Sequence, residues 1–114
     1  MITVYGIKNC DSVKKARKWL QEQGVNYQFH DFRGQGITIE TIQEWIDQVG
    51  SASVLNKRST SWRNLDSDQQ KTVNESNLAT LLQGNPTLIK RPVLNVNGII
   101  NIGFSPESYQ IIFN

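Results

Sequence analysis

The sequence contains very few of the residues that build redox pairs and metal sites. Its 114 residues include one cysteine, Cys10, and one histidine, His30. A lone cysteine cannot close an intramolecular disulfide, and with a lone histidine it cannot supply the ligand set of a structural zinc site. Cys10 is therefore a packed apolar side chain, an exposed free thiol or a reactive thiol that works without a partner in the chain.

Long apolar runs and strong charge are also missing. No apolar run approaches the roughly 20 residues that span a bilayer, and the N-terminal Met-Ile-Thr-Val-Tyr-Gly lacks the basic start of a secretory signal. The net charge is only +2, and no block of like charge stands out. This balance argues against direct binding to nucleic acid or to a membrane. We therefore expect a single cytoplasmic domain over residues 1–114 that acts as a monomer.

The pattern of apolar residues and turn signals predicts an α/β order. The predicted elements are a strand at 2–5, a helix at 10–23, a strand at 27–32, a helix at 38–49, a polar turn-rich segment at 51–64, a helix at 66–83, strands at 93–96 and 99–102, and a helix from 106 to 111 or 113. Asn97-Gly98 is a strong hairpin signal between the last two strands. The order is that of a thioredoxin-like fold with helices inserted in the middle.

Cys10 lies at the predicted start of the first helix. Unpaired N–H groups and the helix dipole place partial positive charge at a helix N-terminus, and this lowers a cysteine pKa below its usual value of about 8.5. Lys8 and Lys14 add positive charge nearby, whereas Asp11 places a carboxylate beside the sulfur. At this point a reactive thiolate and an inert, buried cysteine are equally good interpretations.

Arg91-Pro92 precedes a predicted strand, where a proline fits because it has no N–H to donate to the ladder. In a thioredoxin-like fold, a cis-proline at this point lies against the redox cysteine. Only about 5–6% of X-Pro bonds in folded proteins are cis, so the sequence alone gives that conformation little weight. Taken alone, Arg58 and Arg91 are typical of solvated surface residues, and His30 is better interpreted as structural.

Four motifs then occur in order along nearly the whole chain. They are Tyr5-Gly6-Ile7-Lys8-Asn9-Cys10-Asp11-Ser12, Asn56-Lys57-Arg58-Ser59-Thr60-Ser61-Trp62-Arg63, Leu88-Ile89-Lys90-Arg91-Pro92-Val93 and Gly103-Phe104. Together they resemble the arsenate reductase (ArsC) family, and more closely its Spx/YffB-like branch. The resemblance implies a thioredoxin-like α/β fold with a mixed four-stranded sheet. It also implies a helical insertion, at about 38–87, between the second strand and the C-terminal hairpin.

The resemblance also implies a set of site residues. Cys10 is the implied catalytic residue, and Pro92 is the implied cis-proline. A pocket for an anion or a thiol is implied near Arg58 and Arg91. Lys8 and Lys14 are further candidates for binding the substrate, and no metal site is expected.

Departures from the family pattern bear on the substrate. Arsenate reductases resemble one another in a Gly-Thr-Ser-Arg run after the cysteine and in a third arginine in the late loop. This chain has Asp11-Ser12-Val13-Lys14 and Gly103-Phe104-Ser105 at those places. An arsenate anion would meet the Asp11 carboxylate, at a cost of about 1 kcal/mol for like charges 4 Å apart in water. It would also lack one guanidinium, so arsenate is not expected as the main substrate, and weak arsenate reductase activity is kept as an alternative.

The resemblance to Spx regulators, which bind RNA polymerase, is kept as an alternative. Those regulators often carry a Cys-x-x-Cys switch, but Val13 stands in place of the second cysteine here. The chain ends at Asn114 without the C-terminal extension of those regulators, which makes such a role less expected. Gly50 nevertheless occupies a position that resembles their polymerase-contact region.

The resemblance to YffB-like proteins implies a glutathione-dependent thiol reductase. A single thiol that forms a mixed disulfide needs a second thiol from another molecule, and glutathione is the abundant cytosolic candidate. We therefore expect glutathione, or another small thiol or disulfide, as co-substrate and no tightly bound cofactor. Arg58 and Arg91 are predicted to hold the carboxylates of glutathione.

Overall fold

The computed structural model describes residues 1–114 and divides them into two compact units. The first unit comprises residues 1–35 and 91–114, and the second comprises residues 36–90. The second unit covers the segment that the sequence predicts as a helical insertion. The expectation that residues 1–114 form a single domain stays a prediction.

A four-stranded sheet forms the centre of the first unit. Its strands are β1 (Ile2–Gly6), β2 (Gln28–Asp31), β3 (Val93–Val96) and β4 (Ile99–Ile102). They lie in the order β2-β1-β3-β4, with β1 parallel to β2 and every other pairing antiparallel. The sheet is therefore mixed, as predicted. Its hairpin turns at Asn97 and Gly98, which both have positive φ, as a tight hairpin turn requires.

Eight α-helices and one short 3₁₀ helix complete the fold. They are α1 (Asp11–Glu22), α2 (Phe32–Gln35), α3 (Ile39–Val49), α4 (Ser51–Val54), α5 (Thr60–Arg63), α6 (Ser67–Thr72), α7 (Leu78–Gly84), the 3₁₀ helix (Pro86–Leu88) and α8 (Pro106–Ile112). Helices α1, α2 and α8 belong to the first unit, and the others belong to the second. None of the helices combines the length and the apolar character needed to cross a membrane.

The core of the first unit joins the sheet to α1 and α8. Val4 and Leu94 are paired across β1 and β3, and they pack with Ala16 and Leu20 of α1 and Tyr109 of α8. All five side chains are fully buried. Ala16 and Leu20 are four residues apart, which puts them on one face of the helix. Burial of a valine or leucine of this kind stabilises the fold by about 1.5–3 kcal/mol.

The second unit is helical, and its longest helix is α3. The Thr38 hydroxyl caps the start of α3, and Gly50 ends the helix with a φ of 89°. The buried face of α3 consists of Ile42, Trp45 and Ile46, and the helix contacts α4 and α7. This spacing is the one that the sequence predicts for an amphipathic helix.

The segment predicted as one helix at 66–83 is two helices, α6 and α7. Between them, the side-chain oxygen of Asn74 accepts the N–H groups of Ser76 at 2.9 Å and of Asn77 at 3.2 Å. An asparagine that binds nearby N–H groups competes with the helical hydrogen bonds and favours a turn. The prediction of a continuous helix is therefore wrong. Short helices α2, α4 and α5 also occur where no helix was predicted.

Candidate functional site

Cys10 is held where β1 ends and α1 begins. The chain turns through residues 7–9, and the Cys10 N–H donates to the Ile7 carbonyl at 3.2 Å. Cys10 is the N-cap of α1, with extended backbone angles of φ −92° and ψ 126°. Its carbonyl accepts a helical hydrogen bond from the Lys14 N–H at 3.0 Å. The predicted place of the cysteine at the helix start is confirmed.

The Cys10 sulfur occupies the place where a capping oxygen usually lies. No side chain makes a conventional capping hydrogen bond at this end of α1. The N–H groups of Val13 and Ser12 instead interact with the sulfur. Sulfur is a weaker acceptor than oxygen, so these contacts act mainly on the charged thiolate.

Opposing effects set the pKa of Cys10. Partial burial of the thiol raises the pKa, because it disfavours the charged form. The Val13 N–H, the Arg91 guanidinium and the Ser12 N–H stabilise the thiolate, Arg91 doing so through both a hydrogen bond and its charge. These groups outweigh burial, so the pKa of Cys10 lies below its ordinary value.

Arg91 reaches the sulfur because of the register of β3. This strand runs antiparallel to β1 with Val93 opposite Tyr5, so Arg91 and Pro92 come beside the end of β1 from which the Cys10 loop departs. The Arg91–Pro92 peptide is cis, as the resemblance implies. The buried Pro92 accepts the Gly103 N–H on its carbonyl at 2.8 Å. Cys10 and Arg91 thus meet in the first unit, and Pro92 follows Arg91 directly in the chain.

Lys8 and Lys14 flank Cys10 along the chain, and both are exposed. Neither side chain forms an ion pair, and neither belongs to the groups that lower the pKa of Cys10. Their role in binding a substrate stays a prediction.

Arg58 lies in the second unit, in the turn before α5. Its N–H donates to the side-chain oxygen of Asn56 at 3.1 Å, and its carbonyl accepts Nη2 of Arg63 at 2.9 Å. The residue is exposed and forms no ion pair. The structure thus orders the backbone around Arg58, while its role in anion binding stays a prediction.

Two kinds of contact at the sulfur could not be predicted from the sequence. The N–H groups of Ser12 and Val13 are backbone groups, which every residue except proline supplies, so only the helix-start position indicates them. Arg91 is predicted to hold an anion, and the structure directs its guanidinium to the Cys10 sulfur itself. No cluster of three or more metal-ligating side chains is present.

The chain matches known sequences over nearly its whole length. The profile of the ArsC family matches residues 5–112. An uncharacterized protein of Haemophilus influenzae is 44% identical over 113 residues, and the match covers 99% of each chain. The global transcriptional regulator Spx of Staphylococcus aureus is 26% identical over 112 residues, which are 96% of this chain and 85% of the regulator.

Solved structures share the fold. A YffB protein superposes with a TM-score of 0.93 at 40% identity, covering 97% of both chains. An arsenate reductase (ArsC) related protein from Brucella melitensis superposes with a TM-score of 0.77 at 38% identity. That match covers 99% of this chain and 94% of the other. The similarities therefore extend over the segments that carry both Cys10 and Arg91.

Proposed function

Because the chain belongs to the ArsC family, we propose that it is a thiol-disulfide reductase that uses Cys10 alone and takes its second thiol from glutathione. The supporting observation is the sulfur at the start of α1, where the Val13 N–H and Arg91 lower the pKa of Cys10. A lower pKa increases the fraction of thiolate, which is the attacking species. The chain has no other cysteine, so the second thiol must come from another molecule.

The proposed reaction consists of successive thiol-disulfide exchanges. The Cys10 thiolate attacks one sulfur of a disulfide RSSR′, so that the S–S bond breaks, a Cys10–S–S–R bond forms and R′S⁻ leaves to take a proton from solvent. A glutathione thiolate then attacks the R sulfur, which releases the Cys10 thiolate and joins glutathione to R. A second glutathione releases RSH and forms oxidised glutathione. The electrons of two glutathione thiols thus reduce one disulfide.

The groups around the sulfur favour both halves of this cycle. Arg91 and the first-turn N–H groups stabilise the Cys10 thiolate, both as the nucleophile and as the group that leaves the mixed disulfide. Lys8 and Lys14 are exposed and free of ion pairs, and we propose them as binding residues for a carboxylate of glutathione. Arg58 of the second unit is also exposed and free of ion pairs, and its anion-binding role is a separate proposal. The cytoplasm, where glutathione is abundant, is the proposed compartment, and a monomer is the proposed active form.

A coupled assay tests this function. The substrate is a small disulfide mixed with reduced glutathione, and glutathione reductase reports the oxidised glutathione that forms. We expect reduction that depends on both the protein and glutathione and that Cys10→Ser abolishes. Equal rates for the wild-type protein and Cys10→Ser would refute the proposed reaction.

The similarity to Spx favours a second candidate function, binding to RNA polymerase. The regulator is 26% identical over 96% of this chain, and Gly50, with its φ of 89°, ends α3 at the place that resembles the contact region of the regulators. A pull-down with purified RNA polymerase separates the two functions. Polymerase binding that survives Cys10→Ser supports the regulator, and no binding by either protein excludes it.

Arsenate reduction is the third candidate, because a possible arsenate reductase from Streptococcus mutans is 26% identical and superposes with a TM-score of 0.79. Asp11 follows the cysteine directly and is exposed, and the late loop, Gly103-Phe104-Ser105, contains no arginine. We expect arsenate turnover with glutathione and glutaredoxin to be much slower than disulfide turnover. Equal turnover of both substrates would make arsenate the better assignment.

A further inference from the structure

Gly6 and Val13 form a very close contact between β1 and α1. Gly6 is the last residue of β1, Val13 lies in the first turn of α1, and both are buried. A Cβ added to Gly6 would lie 2.6 Å from Val13 Cγ2, 3.2 Å from Cγ1 and 3.5 Å from Cβ. The first two distances are shorter than an ordinary carbon–carbon contact of about 3.5–4.0 Å. Only a glycine allows the two elements to approach this closely.

Val13 cannot relieve such a contact by rotating its side chain. The residue is fully buried, and a valine in a helix strongly prefers one rotamer. Both of its Cγ atoms already lie near the position of the added Cβ. A side chain at Gly6 would therefore displace the backbone of the first turn of α1 away from β1.

The same turn carries the N–H groups that act on Cys10. The Val13 N–H contributes most to lowering the pKa of the thiol, and the Ser12 N–H adds to it. The sulfur is tied to β1 by the short loop of residues 7–9. Hydrogen bonds weaken steeply as their geometry departs from the optimum. Because Cys10 follows this loop whereas Ser12 and Val13 lie within α1, a change in the distance between Gly6 and Val13 would alter the geometry of these N–H groups at the sulfur.

We propose that Gly6 is a positioning residue, whose missing side chain fixes the first-turn N–H groups of α1 at the Cys10 sulfur. Its biological use rests on the proposed thiol chemistry, but the effect is measurable on the thiol without any substrate. The charged groups around the sulfur, which the test leaves unchanged, are Arg91 in contact and Lys8, Asp11 and Lys14 along the chain.

Three variants of the full chain test the proposal: Gly6→Ala, Val13→Ala and the double variant. The readouts are the pH titration of the thiolate ultraviolet absorbance and the rate of alkylation by iodoacetamide at neutral pH. We expect Gly6→Ala to titrate at higher pH and to be alkylated more slowly, on the order of threefold. Val13→Ala keeps its N–H and is the reference for the double variant, and its cavity should lower the melting temperature.

The double variant is the decisive control. Without its Cγ atoms, residue 13 presents only its Cβ, which would lie 3.5 Å from the added Cβ, an ordinary contact. We therefore expect the double variant to recover the titration and alkylation rate of Val13→Ala. Wild-type behaviour of Gly6→Ala, or a double variant that folds but keeps the raised titration midpoint, would overturn the proposal.

Two further outcomes are also informative. If Gly6→Ala alone does not fold, restoration of both folding and the low titration midpoint in the double variant supports the same contact. If the wild-type protein fails to exchange with glutathione while Gly6→Ala still shifts the thiol titration, the proposed function is wrong and the role of Gly6 stands.

Discussion

Cys10 is stabilised as a thiolate by groups from two distant parts of the chain. Ser12 and Val13 follow Cys10 in the chain, whereas Arg91 lies two residues before β3. Burial alone would raise the pKa of the thiol, but these contacts outweigh it and hold the pKa below its ordinary value. A buried cysteine without such partners is inert, so these contacts are a requirement for the proposed reactivity of Cys10.

The charge of Arg91 gives the first prediction. Arg91→Gln removes the cation that binds the sulfur, so we expect the pKa of Cys10 to rise and alkylation at neutral pH to slow. Lys14→Gln removes the same charge from an exposed side chain without an ion pair and serves as the matched control. Equal shifts of the thiolate titration in both variants would mean that net charge, rather than the Arg91 contact, controls the thiol.

The thiol proton also links pH to the stability of the reduced protein. The pKa of Cys10 is lower in the folded chain than in the unfolded chain, where the thiol has its ordinary pKa. Between these two values the unfolded chain binds more protons, so the free energy of unfolding rises with pH, and the gain is lost as pH falls through the folded pKa. Urea unfolding of the wild-type protein and Cys10→Ser should therefore diverge across this window. A difference that stays constant with pH contradicts the lowered pKa.

The helix-start position of Cys10 can be predicted from the sequence, because a strand, a short loop and an amphipathic pattern lie next to one another in the chain. The contact with Arg91 cannot. It depends on the register of β3 against β1, which is set by long-range pairing rather than by local pattern. The resemblance to the family predicted an anion or thiol pocket near Arg91, but only the structure shows that the Arg91 guanidinium contacts the Cys10 sulfur.

Among the elements, α8 is attached to its unit through Tyr109. The tyrosine ring meets Trp19 at a centroid distance of 5.6 Å, Phe104 at 4.7 Å and Phe113 at 6.0 Å, all edge to face. Such arrangements are favourable beyond the area they bury. The hydroxyl is buried without a hydrogen-bond partner, and burial raises the pKa of Tyr109. The ring therefore stabilises the docking of α8, while the hydroxyl weakens it.

Tyr109→Phe keeps the ring and removes the unpaired hydroxyl, so we expect a gain of about 1 kcal/mol in the free energy of unfolding. Tyr109→Ala removes the whole ring and should cost about 3–5 kcal/mol. Urea unfolding of the reduced proteins measures both changes. A loss of 1 kcal/mol or more in Tyr109→Phe would show that the hydroxyl has a partner in solution, such as a bound water.

Elements with strong local patterns could be predicted, and those governed by single side chains could not. Helices α1 and α3 follow from their apolar spacing, and the β3–β4 hairpin follows from Asn97-Gly98. The break between α6 and α7 depends on the hydrogen bonds of one residue, Asn74. Helices α2, α4 and α5 have four residues each, too few for a period of 3.6 residues to be visible.

At the scale of the whole molecule, the presence of a single thiol limits the oxidation products that the chain can form. With Cys10 as the only cysteine, an oxidised molecule carries a mixed disulfide, a disulfide to another protein or an oxidised sulfur, and never an internal disulfide. The related proteins bear names from both arsenate reduction and transcriptional regulation. The proposed assignment therefore rests on the behaviour of this one sulfur towards an external thiol.

The most direct test is the mass of the reduced protein after incubation with oxidised glutathione. We predict one glutathione per chain, bound at Cys10, absent from Cys10→Ser and removed by reduced glutathione. The adduct should form faster than on a peptide of residues 5–15, whose thiol lacks the folded environment. A wild-type chain that stays unmodified while the control peptide is modified would contradict the account.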